Sequence, residues 1–301
     1  MNNAAISGSS LSVSFAGHDS FALRHGWLEK AFHEVKRSGG RENPFSSDDS
    51  IIRFGVGKNM VNAIKYWALA SNFIRKGEYG YEVSDYASEL MLGVDPYLES
   101  TSSLWKVHYE IAKNSLNTTI YWVFSCLNSA SFSREYLERP LIDFCRENEL
   151  SVPAQKTLKT DVAVVLSMYC GGKQASRRSE DDISHPLQDL GLIRLNHDGT
   201  YSVAVGPKKS LSDGLFFSAV HEFWDATDPN STSIRLDTLL YGARSPGRIF
   251  ALNEVDLLDR VSRISDCTDG MFEVSETAGI VQIFKNQRKF KRDVLKDLWR
   301  R

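Results

Sequence analysis

Cysteine is scarce in this chain of 301 residues: Cys126, Cys145, Cys170 and Cys267 stand far apart with no paired spacing. They offer neither the close pairs of a zinc site nor a disulfide framework, and they fit a reducing cytosol. Charge imbalance is missing too, since 36 Lys plus Arg face 38 Asp plus Glu, a net charge of −2. Without a global basic field, contact with nucleic acid has to come from local patches. No apolar run reaches membrane-spanning length. The opening MNNAAISGSSLSVS has no basic or apolar region of a signal peptide, and residues 1–14 read as a flexible tail. Catalytic signatures are absent as well: there is no Gly-x-Ser-x-Gly, P-loop, His-Glu-x-x-His or dinucleotide fingerprint. GVGKN at 55–59 has the wrong spacing for a phosphate loop, and no strand precedes it.

What remains is an ordinary globular composition, 42% hydrophobic and 25% charged, with room for two or three domains. The organising stretch is DDSIIRFGVGKNMVNAIKYWALASNFI, residues 48–74. Asp48 and Asp49 are suited to cap a short helix through Ile51, Ile52 and Phe54. Gly55 and Gly57 bracket a corner, and a second helix starts near Lys58. Met60, Val61, Ile64, Trp67 and Ala68 share one face of it, while Lys58, Asn62 and Lys65 lie on another. A glycine corner followed by a helix with a Lys/Asn stripe predicts a helix-turn-helix, and Tyr81–Val83 a short wing strand. Arg53, Lys58, Asn59, Asn62 and Lys65 are the DNA-contacting residues on this reading. The plainer alternative is an amphipathic helix pair with solvated lysines.

Before this stretch, Asp19 or Ser20 is placed to cap a helix striped with Leu23, Trp27, Leu28, Ala31, Phe32 and Val35, with Glu34 off the stripe. After it, the aromatic run Ser102–Asn128 predicts two helices or one with a break, because Asn114–Thr119 are weak helix formers. His108 within it reads as a hydrogen-bonded core histidine. Helices are expected behind Ser133, over Thr157–Tyr169, over Leu215–Trp224, over Ser233–Tyr241 and behind Asn253. The segment 171–186 reads as a polar loop, and Ser245-Pro246-Gly247 as a turn. LIRL–NHDG–TYSVAV and MFEVSETAGIVQIF both predict hairpins. The fold class is therefore mainly α with small β-hairpins, in winged-helix-like (helix-turn-helix) units around a central aromatic helix. The expected division is 15–100, 101–206 and 207–301, the last ending in a basic tail.

Candidate chemistry gathers early in the chain. His18, Asp19, Arg24, Asp48 and Asp49 are the acid–base and charged groups near one another in sequence. Metal-assisted phosphodiester cleavage needs carboxylates to hold a divalent cation, here Asp48 or Asp49 with Mg or Mn, and a base such as His18. Arg24 or Lys58 would offset charge in the transition state. Caps and loop hydrogen bonds are the structural alternative for the same residues. Arg244, Ser245 and Arg248, close to the helix start at Asn253, supply donors for a second phosphate contact.

FAGHDSFALRHGWLEK, RFGVGKNMVNAIKYW and LWKVHYEIAKNSLNTTIYWVF resemble the signature blocks of a bacterial family long carried as a domain of unknown function. FSREYL and SPGRIFALNEVDLLDRV resemble its later blocks, so the likeness runs from Phe15 to about Phe284. Asp19 stands where many members carry glutamate. The family resembles the B component, a DNA nickase, of Ssp-type phosphorothioation systems. That resemblance implies double-stranded DNA binding and nicking in anti-phage defence. It implies work beside a cysteine desulfurase, an ATPase and a sulfur-transfer enzyme in the cytoplasm, away from membranes, with room for a homodimer. A non-enzymatic DNA-binding adaptor or regulator that recruits those partners is the alternative.

Overall fold

The computed structural model describes residues 13–46, 49–170, 185–286 and 288–289. Asp48, most of the 1–14 tail, nearly all of the 171–186 segment and the end of the basic tail lie outside the described residues. The chain is mainly helical with small antiparallel sheets, as expected. None of its described helices is long and apolar enough to cross a membrane. It divides into two compact units. One is built from residues 13–122 with the described residues of Asn128–Val203, the other from Val123–Leu127 and the described residues from Ala204 on.

The first unit opens with a loop at 16–20 and α1 (Trp27–Ser38). The apolar stripe of α1 is buried as the spacing predicts, but Glu34 is buried too, held by Arg37 at 3.0 Å. Asp19 and Ser20 do not cap α1. Gly26 stands at its N-cap in the left-handed region, φ 74, where a glycine costs little. Next come α2 (Ser50–Phe54), a corner at Gly55 with φ 64, and α3 (Lys58–Ala70). β1 (Ile74–Lys76) and β2 (Tyr81–Val83) then pair antiparallel, Arg75 opposite Glu82. Asp49 sits at the start of α2 without a side-chain capping bond.

α4 (Asp85–Glu89) is capped by Ser84 and continues as a π-helical turn over Leu90–Val94. The aromatic run is two helices, α5 (Thr101–Lys113) and α6 (Thr118–Ser125), broken at the weak helix formers. On α5, His108 is fully buried and bonds the Tyr169 hydroxyl at 2.9 Å. Beside it, Glu110 sits between Lys106 at 2.7 Å and Lys113 at 2.9 Å. Burial pushes the Glu110 carboxyl up, but the two ammonium groups outweigh it and hold it at about 2 rather than 4.5. A depressed carboxyl contributes stability above its unfolded value and loses it as pH falls through the folded one. Thermal stability is therefore expected to fall between pH 4.5 and 2, and that limb should flatten in Glu110→Gln, as scanning calorimetry across pH would show. α7 (Arg134–Glu147) starts at the Ser133 cap, and α8 (Gln155–Tyr169) packs on it. A 3-10 turn at Pro186–Leu190 and the predicted hairpin of β3 (Ile193–Leu195) and β4 (Tyr201–Val203) complete the unit.

In the second unit, α9 (Asp213–Thr227) is buried along most of its length. The segment 233–241 is not one helix: β5 (Ser233–Arg235) precedes α10 (Leu236–Tyr241). β5 pairs with the C-terminal hairpin, β6 (Phe272–Thr277) and β7 (Ile280–Lys285), in the order β5-β7-β6. Sequence alone did not show this, because a three-residue strand carries too little periodicity. Ser245-Pro246-Gly247 starts a helix instead of forming a turn: Ser245 caps α11 (Pro246–Ile249), with Pro246 in the first position, where its missing N–H is harmless. α12 (Glu254–Ser262) begins at the predicted Asn253 cap and α13 (Ile264–Cys267) follows.

Candidate functional site

The loop at 16–20 carries Ala16, Asp19 and Ser20 at φ 60, 47 and 68, left-handed conformations that a non-glycine residue holds only when its surroundings insist. Those surroundings are visible. The Ala16 N–H donates to the Asp161 carboxylate at 3.1 Å. His18 is buried, its ring stacked on Trp67 with centroids 5.9 Å apart. Its Nδ1 accepts the Ser20 N–H at 3.2 Å, so its hydrogen is on Nε2, which faces Asp161 at 3.2 Å. Asp19 accepts a bond from Asn62 of α3 at 3.1 Å. At Gly17 a Cβ would fall 2.5 Å from the Tyr66 ring, so the loop closes on α3 only with glycine there. His18 and Asp19 thus tie the loop to α3 and α8, and both His18 nitrogens are engaged inside the fold.

Beyond this loop the chain borders a cleft of about 550 Å³. Ser20 and Arg24 line one side, and Lys156, Lys159, Thr160 and Ser167 of α8 another, with His185 beside them. Among the described residues no carboxylate lines it. The Arg24 guanidinium lies over Phe21 and Trp27 at 5.7 and 5.4 Å. Its Nε is buried with no hydrogen-bond partner among the described residues. A buried donor without an acceptor is costly, so it marks a place where an anionic oxygen would be welcome. Lys156 and Lys159 are exposed, one helical turn apart, and add positive potential to the same opening.

The other expected site residues are placed as follows. Lys58 and Asn59 are exposed on α3 and Lys65 is half-buried, while Asn62 is spent on Asp19. Arg53 pairs with Glu42 at 3.0 Å, and that bond raises its pKa. In the second unit Ser245 is fully buried and caps α11, and the Arg248 Nε donates to the Ser125 carbonyl at 3.2 Å. The backbone N–H of Arg244, at φ 65, donates to the Ser125 hydroxyl. These bonds tie Arg244 and Arg248 to Ser125. Burial raises the pKa of Cys145, Cys170 and Cys267, which keeps those thiols protonated.

A divalent metal needs several oxygen ligands converging on one point. Among the described residues no three His, Cys, Asp or Glu side chains do so, and His18, Asp19 and Asp49 do not form such a set. Sequence reasoning missed Asp161, Lys156, Lys159 and His185. One signal was available for Asp161: it is a carboxylate on the helix face that carries Leu158, Val162 and Val165, and a buried charge demands a partner.

No curated protein matches the chain in sequence. Two crystal structures are similar to it. A magnesium ion-bound SspB is 27% identical at a TM-score of 0.83, covering 95% of this chain and 86% of that one. A further SspB structure is 26% identical at a TM-score of 0.83, covering 96% and 88%. The model of the family described as "Protein of unknown function (DUF4007)" matches residues 15–299, and the chain belongs to that family.

Proposed function

We propose that this protein binds double-stranded DNA and cuts one strand of it, as a component of a bacterial DNA phosphorothioation system. The observation that carries the reading is the cleft itself: three cations, no lining carboxylate among the described residues, and a buried Arg24 Nε that lacks an acceptor. A phosphodiester oxygen would satisfy that donor, and a planar guanidinium is well matched to phosphate. The 16–20 loop joins this cleft to α3 through the Asp19–Asn62 bond, so Lys58 and Lys65 would extend the backbone contact toward a helix-turn-helix surface. The likeness to SspB, over nearly the whole chain, supports the phosphorothioation setting. A nick would expose a backbone position to the cysteine desulfurase, ATPase and sulfur-transfer partners.

The inward-facing His18 favours a second reading, an adaptor that binds DNA and recruits those partners without cutting. One assay separates the two. Supercoiled plasmid incubated with the purified protein and Mg²⁺ or Mn²⁺ is expected to yield relaxed circles. Retention of plasmid in a filter-binding assay with no relaxed product would establish the adaptor and end the nickase reading.

A further inference from the structure

We propose that Ser167 is a nucleophile toward a DNA phosphodiester, with His185 as its general base. The inference rests on the nicking reading above and names the groups that would perform it. The Ser167 hydroxyl lies 3.0 Å from His185 Nε2, and His185 Nδ1 lies 2.9 Å from the Leu23 carbonyl oxygen. A carbonyl only accepts, so Nδ1 carries the hydrogen and Nε2 is the lone-pair nitrogen facing the hydroxyl. Nucleophile, base and a third group that orients the base are the parts an activated serine needs. Two further contacts hold the arrangement. Gln188 donates to the Ser167 carbonyl at 2.7 Å, and Pro186 directly after His185 starts the 3-10 turn that fixes where the imidazole stands.

Placement gives the pair its chemistry. Ser167 is exposed, and both groups line the cleft that holds Arg24, Lys156 and Lys159. An isolated surface serine beside a histidine would have no such field. Here the cations line the same cleft, and their charge would offset negative charge building on a phosphorus centre.

The step balances with protein groups, the DNA and one water. The Ser167 proton passes to His185 Nε2 as Oγ bonds to phosphorus. The bond from phosphorus to one deoxyribose oxygen breaks, and that oxygen leaves with the proton from His185. Water, deprotonated by the same nitrogen, then cleaves the phosphoserine ester and restores the hydroxyl. The product is a single-strand break bearing one phosphate end and one hydroxyl end.

Two measurements test this on the full chain. A biotinylated fluorophosphonate, which phosphonylates activated serines with loss of fluoride, should label Ser167 as located by peptide mass spectrometry. Labelling should fall at least roughly 100-fold in His185→Gln, the scale of a lost general base. A histidine that only braced the fold would leave labelling unchanged. In the plasmid assay, Ser167→Ala should keep its DNA affinity and lose roughly 100-fold or more of the nicking rate. Absence of the adduct from folded wild type, or full nicking by Ser167→Ala, overturns the proposal. Failure of wild type to bind DNA would end the DNA-nicking reading, and the probe would still report on the activated serine. Binding by wild type with no nicking would remove the dyad's nucleolytic role.

Discussion

Replacing Arg24, Lys156 and Lys159 together by alanine is expected to weaken DNA binding on the order of 100-fold. Arg24 should dominate. A charge-assisted bond to a buried donor is worth roughly 1.5–3 kcal/mol, while each exposed lysine adds about 1 kcal/mol or less. About 2.8 kcal/mol in total is a factor of about 100. The dependence of affinity on salt should flatten by roughly three units, one for each released counterion. The loss should be the same for unrelated duplexes, because backbone contacts carry no base information. Fluorescence anisotropy over a salt series reads all of this in one experiment. An unchanged salt slope in a folded triple variant would take the cleft off the DNA path and leave Lys58 and Lys65 of α3 as the surface to test.

Asp161→Ala is expected to cost the first unit about 2–4 kcal/mol, the range for stranding buried groups bonded to a charged partner. It leaves the Ala16 N–H and His18 Nε2 without their acceptor and releases a loop whose left-handed residues are unfavourable on their own. For a unit of this size the melting temperature should drop by roughly 5–15 °C. Asp161→Asn, which keeps one oxygen, should cost clearly less. Because the same loop presents Ser20 and leads into Arg24, DNA affinity should fall with stability in Asp161→Ala. A variant that melted like wild type would mean that the loop is held by other contacts.

Much of the fold was legible in the sequence, for local reasons. Ser133 and Asn253 cap their helices because short oxygen side chains reach the first free N–H groups. The apolar spacing of α1 and α3 names the residues that are buried, save Met60, which is half-buried, and Gly55 marks the corner between α2 and α3. The site was less legible, since its groups meet only through tertiary structure. His18, Asp19 and Arg24 stood out as chemically capable, but nothing local shows His18 turning inward to Asp161 or Arg24 outward to the cleft. Lys156 and Lys159 look like any solvated helix face until Arg24 is placed opposite. β5 escaped notice because its partner lies far along the chain, at β7.

The bonds that close the 16–20 loop and the cleft also set an order of events during synthesis. The Ala16–Asp161 bond spans 145 residues, and the one from His185 to Leu23 spans 162. Closing such spans costs entropy that neighbouring contacts cannot repay early, so they form late in folding. On the ribosome the first helices can assemble as soon as they emerge, but the loop stays unclamped until α8 is out. The cleft waits longer still, for His185. A nascent chain therefore has no finished phosphate site, and a truncation before α8 should yield a helical fragment that cannot hold DNA in this way.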